Sequence, residues 1–476
     1  MPWHMPHIPT GKTSWKYNKM TFHILNKKTA DSILHLSALL FIVVLLLSAC
    51  TAPRRASSTP ARRPGQPARP VPVNPGKSAP MDTIRWSKPA NPRPPIGNQP
   101  NPAGTVPGIP GDTYRLAFLM PFLTNQVQGN TVPERSGLAL QFYAGAKIAL
   151  EELSQTEGIN LVVNVYDTQI NDADFLQLLS NPRLVQSDVF IGPVRNSHVT
   201  AMADWARQNR KILVSPESPS SELTSRNPDF IQTNPSLRAH CDAITRYIRN
   251  THRPDAVTLV CKEKEADRLP YFQESNAAMG GARFAELIVP DATLNFDKTD
   301  LTRYLKAGRT AVFVLPTWAS QDFVMAFLRR LKAVKGNNRV EVYGMPQWED
   351  YEGIDPEYLL ALNVHISSAA YIDYHSEAVK AFEQKFYEAT GTIPTEDGFN
   401  GYDVTLFTGK MLRRYGLSFP ERLSSESFEG LHNGFRFSKI FLNGAVDDGF
   451  SRPDYLENVS VHILKFDTYG FVPAGN

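Results

Sequence analysis

Residues 188–199 read DVFIGPVRNSHV, residues 211–223 read KILVSPESPSSEL and residues 228–236 read PDFIQTNPS. Two short apolar runs, 188–191 and 211–214, each end in a turn: Gly-Pro-Val-Arg-Asn-Ser and Ser-Pro-Glu-Ser-Pro-Ser. Apolar runs of that length bounded by Gly and Pro suit strands buried on both faces. The helix-like stretch between them, up to Gln208, makes a βαβ unit, so the two strands are expected to lie parallel. In a parallel sheet the loops that follow the strands share one edge, which is where ligands bind. Both loops carry hydroxyls and backbone N–H groups near helix starts, a surface suited to a polar or anionic small molecule.

The pattern continues on both sides. Residues 114–122 (YRLAFLMPF) form a buried-strand run, residues 138–153 have helical apolar spacing, and residues 160–166 alternate before closing on Asp167-Thr168. A short helix near 173–179 completes four β-α steps, one doubly wound lobe. A second set follows: helix 237–250, strand 256–261, helix 267–279, strand 282–289, helix 301–307, strand 310–315, helix 321–334 and strand 340–344. Helices 378–390 and 402–415 return to the first lobe, and residues 434–471 read as short strands with turns. The expected fold is thus α/β, two doubly wound Rossmann-like lobes. The first comprises residues 113–232 with 370–433, the second 233–369, and residues 434–476 complete both. Crossing strands near 230–234 and 365–372 join them around a cleft.

The run from Ser215 to Leu223, followed by FIQTNPS (230–236), resembles the type I periplasmic binding proteins, the leucine/isoleucine/valine-binding branch. Phe142-Tyr143-Ala144-Gly145-Ala146, Tyr166-Asp167-Thr168 and Gly401-Tyr402-Asp403 are similar to the same family, in order and spacing, from about residue 114 onward. The resemblance implies that Asn196, with Ser197, and Ser218, with Pro219, lie where the family holds the charged ends of an amino-acid ligand. Pro219 departs from the pattern, since proline has neither hydroxyl nor N–H. Glu217 would repel an anion at that place. Arg195 either offsets it as a bidentate carboxylate clamp or pairs with Glu217 on the rim. Aromatic residues can close such a cleft: Trp348, Tyr402, Trp318, Tyr371 and Tyr374 are candidates, with lobe packing the competing role for each. Asp167 either faces the cleft or caps the next helix.

The 476 residues are 42% hydrophobic and 20% charged, with formal net charge +3. This allows two or three domains and argues against a dedicated nucleic-acid binder. Residues 32–50 (SILHLSALLFIVVLLLSAC) follow Lys27 and Lys28. The apolar core is short for a membrane span and fits an export signal. Its break, Leu47-Ser48-Ala49-Cys50, resembles the bacterial lipobox. That implies acylation of Cys50, a lipid anchor and a periplasm-facing protein. Thr51 follows in place of an Asp retention signal, which favours the outer membrane. Met20 is the expected initiator, residues 1–50 being the signal region. Residues 51–112 are rich in Pro and Arg and read as a disordered linker. If extended, at about 3.1 Å per residue, it would reach well over ~100 Å from the lipid.

No Gly-x-Ser-x-Gly and no His-Glu-x-x-His occurs, and the 11 His residues have no metal-like spacing. PTGKTS (9–14) lacks the earlier Gly and the strand of a phosphate loop. No enzymatic activity, cofactor or metal is therefore expected. Two functions stay open: a lipid-anchored solute-binding protein serving a membrane permease or sensor, and a lipoprotein activator of a peptidoglycan synthase with a degenerate cleft. After lipidation of Cys50, Cys241 and Cys261 remain, expected as buried free thiols in preference to a disulfide.

Overall fold

Central strand β2 (Thr113–Met120) is buried along almost its whole length, as a strand covered on both faces must be. The computed structural model describes residues 82–86 and 113–475, except 130, 307, 319, 443–446, 449 and 450. All of them belong to one compact unit, Asn74–Asn476. The signal region, Cys50 and most of the linker lie outside the described residues.

The first lobe runs β1 (Asp82–Trp86), β2, α1 (Gly137–Glu152), β3 (Asn160–Asp167), α2 (Asp172–Leu179), β4 (Val189–Ile191), α3 (Asn196–Asn209), β5 (Ile212–Ser215) and β6 (Phe230–Gln232). The second runs α4 (Leu237–Thr251), β7 (Val257–Lys262), α5 (Leu269–Ala278), β8 (Ala285–Val289), β9 (Ala311–Val314), α6 (Gln321–Val334), β10 (Val340–Gly344), α7 (Pro356–Ala361) and β11 (Val364–Ser368). The chain then returns through α8 (Glu377–Thr390), α9 (Glu396–Tyr415), β12 (Ser427–Glu429), β13 (Gly434–Ile440) and β14 (Tyr455–Asn458), and ends with β15 (His462–Phe466) and β16 (Phe471–Pro473).

One sheet has the order β1-β3-β2-β4-β5-β6-β14-β13-β12, the other β16-β15-β11-β10-β9-β7-β8. The stretch that includes β4 and β5 pairs in parallel, Val189 opposite Ile212 and Ile191 opposite Val214, as the βαβ reading requires. The chain passes between the sheets three times: after β6, after β11 and after β14. Alternation along β2 supplies two layers of the first lobe. Leu116, Phe118 and Met120 join the core under α1, α8 and α9, while Ala117 and Leu119 join the core under α2 and α3. The second sheet has its own core, built on residues such as Val260, Phe313 and Val342.

The structure revises several expected elements. Asp82–Trp86, inside the stretch read as a linker, is a strand antiparallel to β3, with Ile84 opposite Val163. It belongs to the longest proline-free run of that stretch, 81–88, the place where a ladder hydrogen bond is not lost to proline. Instead of a helix at 301–307 there is a single 3-10 turn, Thr302–Tyr304, and Gly308 follows with φ +76°. The helix expected at 267–279 divides into a 3-10 segment, Glu263–Arg268, and α5, whose first turn holds Pro270: lacking an N–H, proline cannot carry the hydrogen-bond ladder on from the preceding turn, but it suits a helix start. Helix α9 starts at Glu396, six residues before expectation. Gly398, Asn400 and Gly401 are weak helix formers, yet tertiary packing holds them helical.

That packing explains two of the motifs. A Cβ on Gly145 of α1 would run into the Gly398 carbonyl oxygen, and one on Gly401 into the backbone of Phe142. The glycines let α1 and α9 approach backbone to backbone. Asp403, buried in α9, accepts the backbone N–H groups of Leu431, His432 and Asn433 at 2.8, 2.8 and 2.9 Å. Burial raises its pKa to about 6 against the pull of those donors. The turn 430–433 is thereby pinned to α9, and it braces the second crossing: Tyr371 N–H donates to the His432 carbonyl at 3.0 Å.

Candidate functional site

The loops after β2, β3, β4 and β5 gather at one edge of the first sheet, and their polar side chains bond mainly to one another. Asp167, at the end of β3, accepts Thr124 N–H at 2.8 Å, Leu123 N–H at 3.1 Å and Gln169 N–H at 3.0 Å. It therefore ties the β2 loop to the β3 loop and does not cap α2. That role falls to Asn171, which accepts Ala173 N–H at 2.8 Å.

Arg195 and Ser197, at the start of α3, turn toward α2. Arg195 donates to the Ile170 carbonyl at 2.6 Å and lies 3.7 Å from Asp172, and Ser197 donates to Asp172 at 2.9 Å. The Ser197 hydroxyl first, and the Arg195 charge with it, hold the Asp172 carboxyl below its usual range. Arg195 is thus paired with Asp172 rather than with Glu217. Asn196 donates to Ser220 at 2.7 Å and accepts from the buried Ser218 hydroxyl at 2.7 Å. Pro219 is exposed.

Glu217 points the other way. Its carboxylate accepts from Asn400 of α9 at 2.6 Å, and Asn400 accepts in turn from Asn433 at 2.8 Å. Burial, then the charge of Asp397, push the Glu217 carboxyl up to about 8. From the second lobe Glu349 and Asp350, in the 3-10 turn Pro346–Asp350 that follows β10, come near Glu396 of α9. Glu349 keeps solvent contact, but partial burial, then the charges of Glu396 and Asp350, raise it to about 7. Glu396 and Asp397, in the first turn of α9, are raised as well, by burial before all else. Carboxylates of both lobes therefore confront one another, with Asp350 acting on Glu396 across the gap. These doublets escaped the sequence reading. An acidic pair in a first helical turn is ordinary dipole compensation, and nothing local links it to residues some fifty positions away.

The expected aromatic lids divide. Trp348 is a core residue, 2% exposed, stacked where a Cβ on Gly344 would be, and its indole N–H donates to the Thr317 carbonyl at 3.3 Å. Tyr402 is a core residue too, its hydroxyl donating to Glu152 at 2.8 Å and its ring 4.8 Å from that of Phe382. Gly344, lacking a Cβ, leaves the slot that the Trp348 ring fills, and Tyr402 is turned into the core between α9, α8 and α1, against Phe382 and Glu152. Trp318 and Tyr371 are half-buried, and Tyr374 is exposed, edge-on to Phe399. Cys241 and Cys261 are free and buried. Among the described residues no group of three or more His, Cys, Asp or Glu is placed to hold a metal ion. No described helix is long and apolar enough to cross a membrane.

Two doubly wound lobes, three crossings between them and a gap edged by loops at strand ends define a type I two-lobed binding protein. A family model described as periplasmic binding protein matches residues 136–433, and the chain belongs to that family. It is a family of extracytoplasmic binding proteins, not of enzymes. Solved structures share the fold over 76% of this chain. One is a protein of Rhodospirillum rubrum provisionally assigned as a branched-chain amino acid ABC transporter (14% identity, 100% of that chain, TM-score 0.57). Another is a branched chain amino acid ABC transporter periplasmic ligand-binding protein from Burkholderia xenovorans LB400 (12%, 94%, 0.52). A third is an ABC transporter substrate-binding protein from Desulfitobacterium hafniense (15%, 100%, 0.51). At these identities the likeness is one of fold. No curated protein sequence matches the chain.

Proposed function

We propose that this chain is a lipid-anchored, extracytoplasmic solute-binding protein that captures a small polar solute bearing an ammonium group between its lobes, for an ABC-type transporter or a sensor. The observation that carries this reading is the confrontation of Glu396, with Asp397 beside it, on one lobe with Glu349 and Asp350 on the other. Like charges brought together by closure repel, and a cation between them reverses the sign. The α-ammonium of an amino acid meets that need. A carboxylate finds less: Arg195 is engaged by Asp172 and Ile170, and Pro219 has no N–H to offer.

Calorimetric titration with lysine, leucine, putrescine and succinate tests the reading. Ammonium-bearing solutes should bind and compact the protein in small-angle scattering, and Glu349→Gln should weaken them on the order of tenfold, ~1.4 kcal/mol. Heat from succinate alone, or from none of the four, overturns it.

A second reading rests on a different observation: Asn196, Ser218 and Ser220 satisfy one another. Together with the Pro-rich 51–112 stretch, this supports an outer-membrane lipoprotein that reaches a partner, such as a peptidoglycan synthase, with a cleft no longer used for solutes. Under that reading the titrations stay flat and the full chain stimulates the synthase.

A further inference from the structure

A cavity of about 250 Å³ lies beside the second and third crossings. Tyr371, Asp373 and Ser376 line it from the segment after β11, Glu429 and His432 from the end of β12 and the turn pinned by Asp403, and His462 from the start of β15. His432 decides its chemistry. Its main chain is committed on both sides, the N–H to Asp403 and the carbonyl to Tyr371. Its ring is held with it, 9% exposed, and neither ring nitrogen has a protein partner. Nor does Nε2 of His462.

Buried polar atoms without partners are costly, so the two imidazoles that line the cavity favour an occupant that forms hydrogen bonds. An apolar guest leaves them stranded. An anion meets Asp373 and Glu429, both exposed at the mouth. A metal ion lacks a third ligand at the right spacing. Burial, then the neighbouring His462, pull His432 down to about 4, so at neutral pH the ring offers one donor and one acceptor. A hydroxyl group, which both donates and accepts, answers the imidazoles, and the carboxylates and the Ser376 hydroxyl can take further O–H groups. The cavity is far larger than one water needs and just below the ~300–1,000 Å³ of drug-sized pockets.

We propose that this hinge-side cavity is a second binding site, separate from the interlobe gap, for an uncharged hydroxyl-rich ring of monosaccharide size. Because its walls come from two of the crossings, an occupant also bears on the segments that must bend when the lobes close.

Saturation-transfer NMR on the full chain tests this with glucose and N-acetylglucosamine as uncharged probes and glucosamine and glucuronate as charged ones. The uncharged sugars should give saturable transfer, weakened on the order of tenfold in His432→Ala, the loss of one desolvated hydrogen-bonding side chain. His462→Gln is the second variant and keeps the test open if the first fails to fold. Glu349→Gln tells the two sites apart. Four results overturn the proposal: no transfer from the uncharged sugars, preference for either charged sugar, transfer indifferent to both histidine variants, or loss of transfer in Glu349→Gln.

Discussion

Ser218 donates its buried hydroxyl to the side-chain oxygen of Asn196 at 2.7 Å, which joins the loop after β5 to the first turn of α3. Asn196 also donates to Ser220 at 2.7 Å. Residues placed where the family holds a ligand thus serve as struts between two loops. Asn196→Ala removes both bonds. Because Asn196 is exposed, we expect the low end of the usual range, a loss of about 1 kcal/mol, read as a lower urea midpoint with unchanged slope. An unchanged midpoint means the bonds carry no stability.

Gly401→Ala should destabilise the protein although alanine is the better helix former by about 1 kcal/mol. The added methyl meets the backbone of Phe142, which cannot rotate away, so α1 and α9 must separate. Overpacking of this kind costs about 1–3 kcal/mol, occasionally more. A raised melting temperature in this variant contradicts the close contact.

Glu217 should make the ligand-free protein less stable as pH rises. Its folded pKa, about 8, stands above the ordinary 4.5, so between those values the folded state holds a proton that the unfolded state has released. Unfolding then releases protons, and stability falls with rising pH until the slope ends above about 8. Measured as wild type minus Glu217→Gln across that window, so that other titrations cancel, the difference should decline steadily. A flat difference refutes the assignment.

Cys241 and Cys261 should stay unreactive in the folded protein even outside the cytoplasm. Burial pushes Cys261 up to about 12 and raises Cys241 still further, leaving almost no thiolate. Alkylation followed by mass spectrometry should label both after unfolding and neither before. A crosslinked Cys241–Cys261 peptide from non-reduced protein refutes this.

Cys50 should carry the lipid, on the strength of the Leu-Ser-Ala-Cys break after a short apolar run. Wild-type protein should enter the detergent phase on partition while Cys50→Ala remains aqueous. Equal partition of the two disproves acylation at this residue.

Residue periodicity alone defined much of the architecture. Helix α6 and strand β10 have the bounds expected from apolar spacing, and the βαβ unit around Val189–Ile191 pairs in the expected direction. Buried strands and amphipathic helices advertise themselves locally, because burial on one or two faces writes a period of two, a continuous run or a period of 3.6 into consecutive residues. The start of α9 was hidden for the opposite reason: Gly398 and Gly401 are chosen by contact with α1, not by helix propensity.

Which side chains face a ligand is not a local property. Arg195, Asn196 and Ser218 lie in the stretches that follow β4 and β5, but their partners, 22–25 residues away, are set only when α2, α3 and the β5 loop meet at one sheet edge. Trp348 and Tyr402 have the chemistry of lids but are held in the cores of their lobes, Trp348 in the space Gly344 leaves and Tyr402 against Phe382 and Glu152. The opposed carboxylates of Glu349, Asp350 and Glu396 exist as a group only across the two lobes, and the partnerless ring of His432 only because Asp403, 29 residues earlier, pins its turn. The sequence by itself determined the strands, the helices and hence the two-lobed class, since these follow from local periodicity. Tertiary structure alone decided the pairing of the polar groups, since hydrogen bonds and charges act over a few ångströms of space whatever the distance along the chain.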